Sequence, residues 1–345
     1  MGQLGKYSFI NAKVRAMLSN LLTPEQFDHL REAEDVSALL ADLAQTPYRQ
    51  LTEKFAAGDL ELEALEQEFI RHDIAIHRKL FSTMTSTDEK NLLFLLMQRY
   101  EIEQLKVVLR LWHKNAPVPA EDYLLGENIC FPLDWRQVLI AKNIEEIILL
   151  LDQTPYRTPL LKAREKFKES HSLFYLEVAL DLDYYERISA AMEKLSTVDK
   201  TVAKAILGVE VDIENINWLV RSKKYYALGM GEMLPWLLPG GARIQKENIR
   251  NIYLSEDLDQ IFETLAVGPY ARLKDLVMGN MALLENILYE VLSREVRRAL
   301  GGFPFTIGII LGYLVLKRKE TGNLVSLIYA KKYGWKKEEL AQVVN

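Results

Sequence analysis

The chain has 345 residues, 49 % of them apolar and 26 % charged, with a formal net charge of −5 and a sequence pI near 5.7. That is ordinary globular composition with enough apolar matter for a large core. The acidic balance argues against a nucleic-acid binder, which needs a dense cationic surface to neutralise phosphates. The single cysteine, Cys130, excludes an intramolecular disulfide and is expected to be a small buried group in a reducing compartment.

The first nine residues carry no apolar run of signal-peptide length, so export is not expected. Tyr7, Ile10, Val14 and Met17 then recur at three- and four-residue intervals and predict an amphipathic helix over 6–19. Thr23-Pro24-Glu25-Gln26 reads as an N-cap, a proline in the first helical position and an acidic first turn, opening a second helix that runs to about Glu34. A third helix covers 35–44 and stops at Thr46-Pro47-Tyr48. Proline lacks an N–H and pushes the residue before it out of the helical region, so one helix ends there and another starts, with Thr46 expected as its N-cap. Helices are predicted over 60–84 and 90–112, and Asn115 to Pro119 with Gly126 breaks the chain. Beyond the break, 131–141 leads to a second Thr154-Pro155-Tyr156 turn, followed by helices over 155–170, 173–195, 200–207 and 213–224. Residues 229–241, rich in Gly and Pro, form the next boundary, and Gly268-Pro269-Tyr270 gives the turn a third time. The longest apolar run, 303–316, is too short for the roughly 20 residues of a bilayer span and contains Pro304, Gly308 and Gly312. It is expected to be a buried helix. No alternating strand pattern occurs, and the fold class is all-α.

The three Pro-Tyr turns lie 108 and 114 residues apart, and a second register repeats with them. Leu-Glu pairs place Glu66, Glu177 and Glu285 in the helices that follow the turns. Each stands 38 residues before the amide of a segment of the type acid-x-x-Gln/Asn: Glu101 to Gln104, Asp212 to Asn215 and Glu320 to Asn323. The interval from turn to Leu-Glu varies, which marks the part that tolerates insertion. These registers describe three tandem helical units of roughly 110 residues, with boundaries at 1–116, 117–228 and 229–345. Tyr48, Tyr156 and Tyr270 are then helix-packing corners, with a shared partner surface as the rival reading. Replacing Pro47 or Pro155 is expected to lower the thermal midpoint while leaving the choice of binding partner unchanged, measured by calorimetry beside co-purification.

Conventional active-site chemistry is missing from the sequence. There is no phosphate-binding Gly-x-x-x-x-Gly-Lys-Ser/Thr loop, no His-Glu-x-x-His metal motif around the five scattered histidines and no acid singled out as a catalyst. No catalytic residue, cofactor or metal is therefore expected. Glu101 and Glu103 read as a solvated helix face. The repeated Glu66, Glu177 and Glu285 read as surface or interhelical ion-pair partners. Arg110 and Arg221, with neighbouring lysines, read as cations near helix C-termini, or as repeated positive patches facing an acidic partner or lipid headgroups.

Taken in order, Tyr7-x-x-x-Asn11-Ala12-Lys13-Val14-Arg15, the Thr-Pro-Tyr turns, the acid-Ile-Glu-Asn/Gln segments and the triplicate helical pattern resemble the C subunit of the bacterial and archaeal V/A-type ATPases and ATP synthases, the counterpart of the eukaryotic V-ATPase d subunit. In the third unit, Gly322 replaces the acid before Asn323 and Gly268 replaces the threonine. The resemblance implies a funnel-like helical protein with pseudo-threefold symmetry, peripheral on the cytoplasmic face of a membrane proteolipid ring. It would receive the end of the central shaft, without catalysing anything itself. A soluble helical-repeat adaptor is the alternative, and an all-α enzyme the more distant one.

Overall fold

The computed structural model describes residues 2–55, 62–117, 124–126, 129–223, 229–244, 249, 258–276 and 281–335. Its regular elements are helices, and no strand occurs among the described residues. The α-helices are α1 (Gln3–Leu18), α2 (Pro24–Glu32), α3 (Val36–Leu43), α4 (Arg49–Thr52), α5 (Leu62–Thr83), α6 (Thr87–His113), α7 (Trp135–Leu139), α8 (Ile144–Leu150), α9 (Arg157–Ser170), α10 (Phe174–Lys194), α11 (Thr197–Arg221), α12 (Met230–Met233), α13 (Leu258–Leu265), α14 (Met281–Gly301) and α15 (Gly308–Lys332). The chain divides into two compact units. One contains residues 1–84 and 296–345, the other 85–295.

In the first unit α15 packs against α1, α3 and α5. The start of α2 follows from its sequence: Thr23 accepts from the Gln26 backbone while the Gln26 side chain accepts from the Thr23 N–H, a complete capping box. Asp35 caps α3 more simply, its carboxylate accepting the Ala38 N–H. The apolar faces of α2, α3 and α5 bury Leu30, Leu39, Leu43, Leu65 and Phe69 against Leu324 and Leu327 of α15. Each such side chain is worth about 1.5–3 kcal/mol relative to an exposed one. The core therefore ties the first part of the sequence to its last helix.

In the second unit α10 is central, packed on α6, α9 and α11. Asp134 and Asn143 cap α7 and α8. Helix α11 is one continuous element where the sequence pattern predicts two, because Gly208 acts as a contact rather than a break. A Cβ there would lie 3.1 Å from the Ala242 nitrogen, and that N–H donates to the Gly208 carbonyl at 3.0 Å. Helix α15 begins at Gly308, not Phe303. Residues 303–307 are non-helical and Phe303 is 58 % exposed, whereas Ile309 to Val315 are buried. No helix among the described residues is long and apolar enough to cross a membrane.

Candidate functional site: three buried tyrosine–carboxylate nodes

The three repeated tyrosines lie inside the protein, with Tyr48 3 %, Tyr156 0 % and Tyr270 2 % exposed. Their turns differ in one detail from expectation. The threonine is not the N-cap of the next helix, since Thr46 and Thr154 donate to the carbonyls of Leu43 and Leu151 and accept the N–H of Tyr48 and Tyr156. Tyrosine itself occupies the cap position, and α4 and α9 start one residue later. The hydroxyl of threonine closes the turn and the ring of tyrosine is turned inward.

Each inward hydroxyl meets a carboxylate far away in sequence. Tyr156 donates to Glu101 at 2.8 Å, Tyr270 to Asp212 at 2.8 Å and Tyr48 to Glu320 at 2.5 Å. The acceptors are the first acids of the three repeated segments. The pairing is shifted by one place along the sequence: the second turn takes the first acid, the third turn takes the second acid, and the first turn takes the last acid.

Each acid also holds a loop. Glu101 accepts the N–H groups of Cys130 at 3.4 Å and Phe131 at 3.1 Å, Asp212 those of Arg243 and Ile244, both at 2.9 Å, and Glu320 that of Leu22 at 2.6 Å. Leu22 and Ile244 each stand 26 residues before their tyrosine, and Phe131 stands 25 before its own. The node is thus one local structure written three times, with a carboxylate receiving a phenol and loop backbone. Next to it, Gln104 accepts from Leu125 N–H at 2.9 Å, and Asn215 both accepts from and donates to the Leu238 backbone. Gly241 is required by the second node, since a Cβ there would sit 2.4 Å from Asp212 Oδ1.

Glu101 is fully buried, which corrects its reading as part of a solvated face. Only Glu103 of that pair is exposed. The signal was present in the periodicity. Glu101, Leu105 and Val108 are spaced i, i+4, i+7, as are Asp212, Ile216, Leu219 and Glu320, Leu324, Leu327, so each acid continues an apolar stripe. Burial pushes the carboxyls of Glu101 and Asp212 up from their ordinary range, and the tyrosine and backbone donors pull against that. All three phenols are raised, first by burial and then by the neighbouring carboxylate, so the tyrosines remain proton donors at any physiological pH.

The Leu-Glu acids form a second, shallower set. Arg110 makes a two-pronged contact with Glu177 at 2.6 and 2.9 Å, and Tyr329 donates to Glu66 at 2.9 Å. Arg110 and Tyr329 occupy the same register, nine residues after Glu101 and Glu320 respectively. Glu177 and Glu66 are half-buried and Arg110 is exposed, so these contacts contribute little, about 0–1 kcal/mol for an exposed pair. Glu285 lies exposed on α14, and the side chain of Arg221 falls outside the described residues.

The node of the first unit carries extra charge. Lys317 donates to the Tyr48 hydroxyl and to Glu320 at 3.3 Å, and its ammonium lies 4.2 Å from the centre of the Tyr48 ring. Asp73, 2 % exposed, accepts from Thr321 at 3.1 Å and stands 3.9 Å from the Lys317 ammonium. Burial raises Asp73 to about 7, although Lys317 and Thr321 oppose the shift. The unfolded carboxyl titrates near 3.8, so folding favours its protonated form. That contribution is complete below pH 4 and is lost as the pH rises through 7. Asp73→Asn is therefore expected to be more stable than the parent chain at pH 8, with the gap closing by about 1.4 kcal/mol per pH unit as the pH falls from about 6.5 towards 4. Urea denaturation across that range checks it, and a pH-independent gap would contradict the sign.

The family model for the ATP synthase (C/AC39) subunit matches residues 10–343. The chain belongs to that family. Among curated relatives it is 27 % identical over 328 residues to the C subunit of the A-type ATP synthase of Methanosarcina acetivorans, covering 92 % of this chain and 87 % of the relative. It is 22 % identical over 347 residues to the protein of the same name from Pyrococcus abyssi, covering 98 % and 90 %, and 27 % identical over 340 residues to that from Methanosarcina mazei, covering 95 % and 89 %. This C/AC39 subunit is thus an accessory component of a rotary ATPase or ATP synthase and not its catalytic subunit. The match spans all three nodes.

Proposed function

We propose that this C/AC39 subunit is a central-stalk rotor element that couples the rotating shaft to the membrane proteolipid ring, peripheral on the cytoplasmic face. The observation that carries this reading is the shifted set of nodes. Torque passes only through a body that deforms little under load, and close-packed interiors with satisfied polar networks are stiff and uniquely arranged. Every tyrosine turn is fastened to the segment of another repeat, including the first turn to the last segment. Within each compact unit, a tyrosine turn and its acidic segment can separate only by breaking a buried bond.

The three repeat units at 1–116, 117–228 and 229–345, in pseudo-threefold array, belong to the same proposal. They would offer similar surfaces to a ring with many equivalent subunits. That no described helix is long and apolar enough to cross a membrane fits a part that meets the ring from outside. Of the repeat-defining residues, Glu285 and Arg110, the latter paired with Glu177, lie exposed at the surface, whereas the tyrosines hold the scaffold. Purification of the tagged chain from its native membrane tests the reading. Shaft subunits and the proteolipid should be recovered with it in fixed stoichiometry. A chain recovered with neither would move the adaptor reading to first place.

A further inference from the structure

A cavity of about 180 Å³ opens in the first unit beside the Tyr48 node, at the C-terminal end of α1. Its lining includes Lys79, Lys317, His72, Asn20, Tyr48 and Tyr313 among apolar side chains. Among the described residues, no carboxylate lines it. The two acids that balance Lys317 lie behind the wall. An ammonium has three protons. Lys317 directs two of them to Tyr48 and Glu320, and Asp73 at 3.9 Å is beyond hydrogen-bond reach for the third. Lys79 is exposed at the mouth and has no carboxylate partner among the described residues.

The neighbouring groups register the positive field. Burial and then Lys317 lower His72 to about 4, so it is a neutral hydrogen-bonding group at physiological pH. Lys13 is lowered by burial and by Lys79. A cavity lined by two lysines and neutral polar side chains, with no acid among its described lining residues, disfavours cations and suits an oxyanion with several acceptor oxygens. Its volume is several times the roughly 30 Å³ share of one water molecule, which leaves room for such a group.

We propose that this cavity binds a phosphoryl group, either as free phosphate or as the headgroup of a phospholipid, between Lys79 and Lys317. The inference is independent of the rotor assignment. It is tested on the full chain by calorimetric titration with inorganic phosphate, against chloride at equal ionic strength, and by flotation with vesicles of phosphatidylcholine with or without phosphatidic acid. One saturable site is expected, weakened at least about tenfold, or roughly 1.4 kcal/mol, in Lys79→Gln and restored towards the parent value in Lys79→Arg. Lys79 is exposed, so the circular dichroism and melting midpoint of these variants should match the parent chain. Flotation that needs phosphatidic acid, is lost in Lys79→Gln and is competed by phosphate assigns the lipid source. Saturable phosphate binding without flotation assigns the free ion. Absence of both, or binding that Lys79→Gln leaves unchanged, overturns the proposal.

Discussion

Asp212→Ala is expected to destabilise the folded chain by roughly 3–5 kcal/mol, the scale for removing one partner from a buried charged network. The carboxylate accepts the Tyr270 hydroxyl at 2.8 Å and the N–H groups of Arg243 and Ile244 at 2.9 Å, and the residue is 0 % exposed. Its loss leaves those donors buried and unpaired, at about 1–3 kcal/mol each before relaxation. Tyr270→Phe removes one donor and leaves the acid its backbone partners, so about 1–2 kcal/mol is expected. A double-mutant cycle by urea denaturation should return a coupling of at least about 1 kcal/mol between the two. Glu101 with Tyr156 should behave alike, because the same contacts recur there. Coupling near zero at both sites would mean that the nodes are incidental neighbours.

Lys317→Met should be the most damaging single change in the first unit, and its cost should depend on pH. The variant leaves Asp73 and Glu320, 2 % and 9 % exposed, without their cation. At pH 8 a loss of about 3–5 kcal/mol is expected. Without the ammonium the folded state takes up protons more readily, so folding stability recovers as the pH falls towards 5. Adding Asp73→Asn removes one of the two excess charges and should restore part of the loss at pH 8 and little at pH 5. Equal damage at both pH values would indicate that Lys317 acts by packing its stem rather than by its charge.

Much of this architecture was legible in the chain. The Thr23–Gln26 capping box, the Asp35 cap, the proline stops and the apolar stripes of α5 and α6 are local signals, and each gave its element within a few residues. The misread elements share a physical cause. The gap predicted between 207 and 213 is helical, and Gly208 within it packs against Ala242, a contact that a single sequence does not display. Phe303 looks like core because hydropathy does not report that Pro304 and Thr306 delay the start of α15.

The nodes were half legible. Both registers, tyrosine turns and acidic segments, are visible by counting, and so is the placement of each acid on an apolar stripe. What counting does not supply is which turn meets which acid, since Glu101 and Tyr156 are 55 residues apart and Tyr48 and Glu320 are 272 apart. Only the fold brings them together. Lys317 and Asp73 were missed altogether, because neither has an equivalent of its kind in the other units. Lys317 aligns with Gln98 and Val209, each three residues before its acid, and one side chain of that type gives no period to detect.

Mechanical coupling by this subunit can be read from reconstitution of the rotary complex in vesicles with and without the chain. ATP hydrolysis and ATP-driven ion transport would be measured on the same preparations. Removing the chain should abolish transport while hydrolysis by the catalytic sector continues, and adding it back should restore transport. Undiminished ion transport in vesicles shown to lack the chain would contradict it.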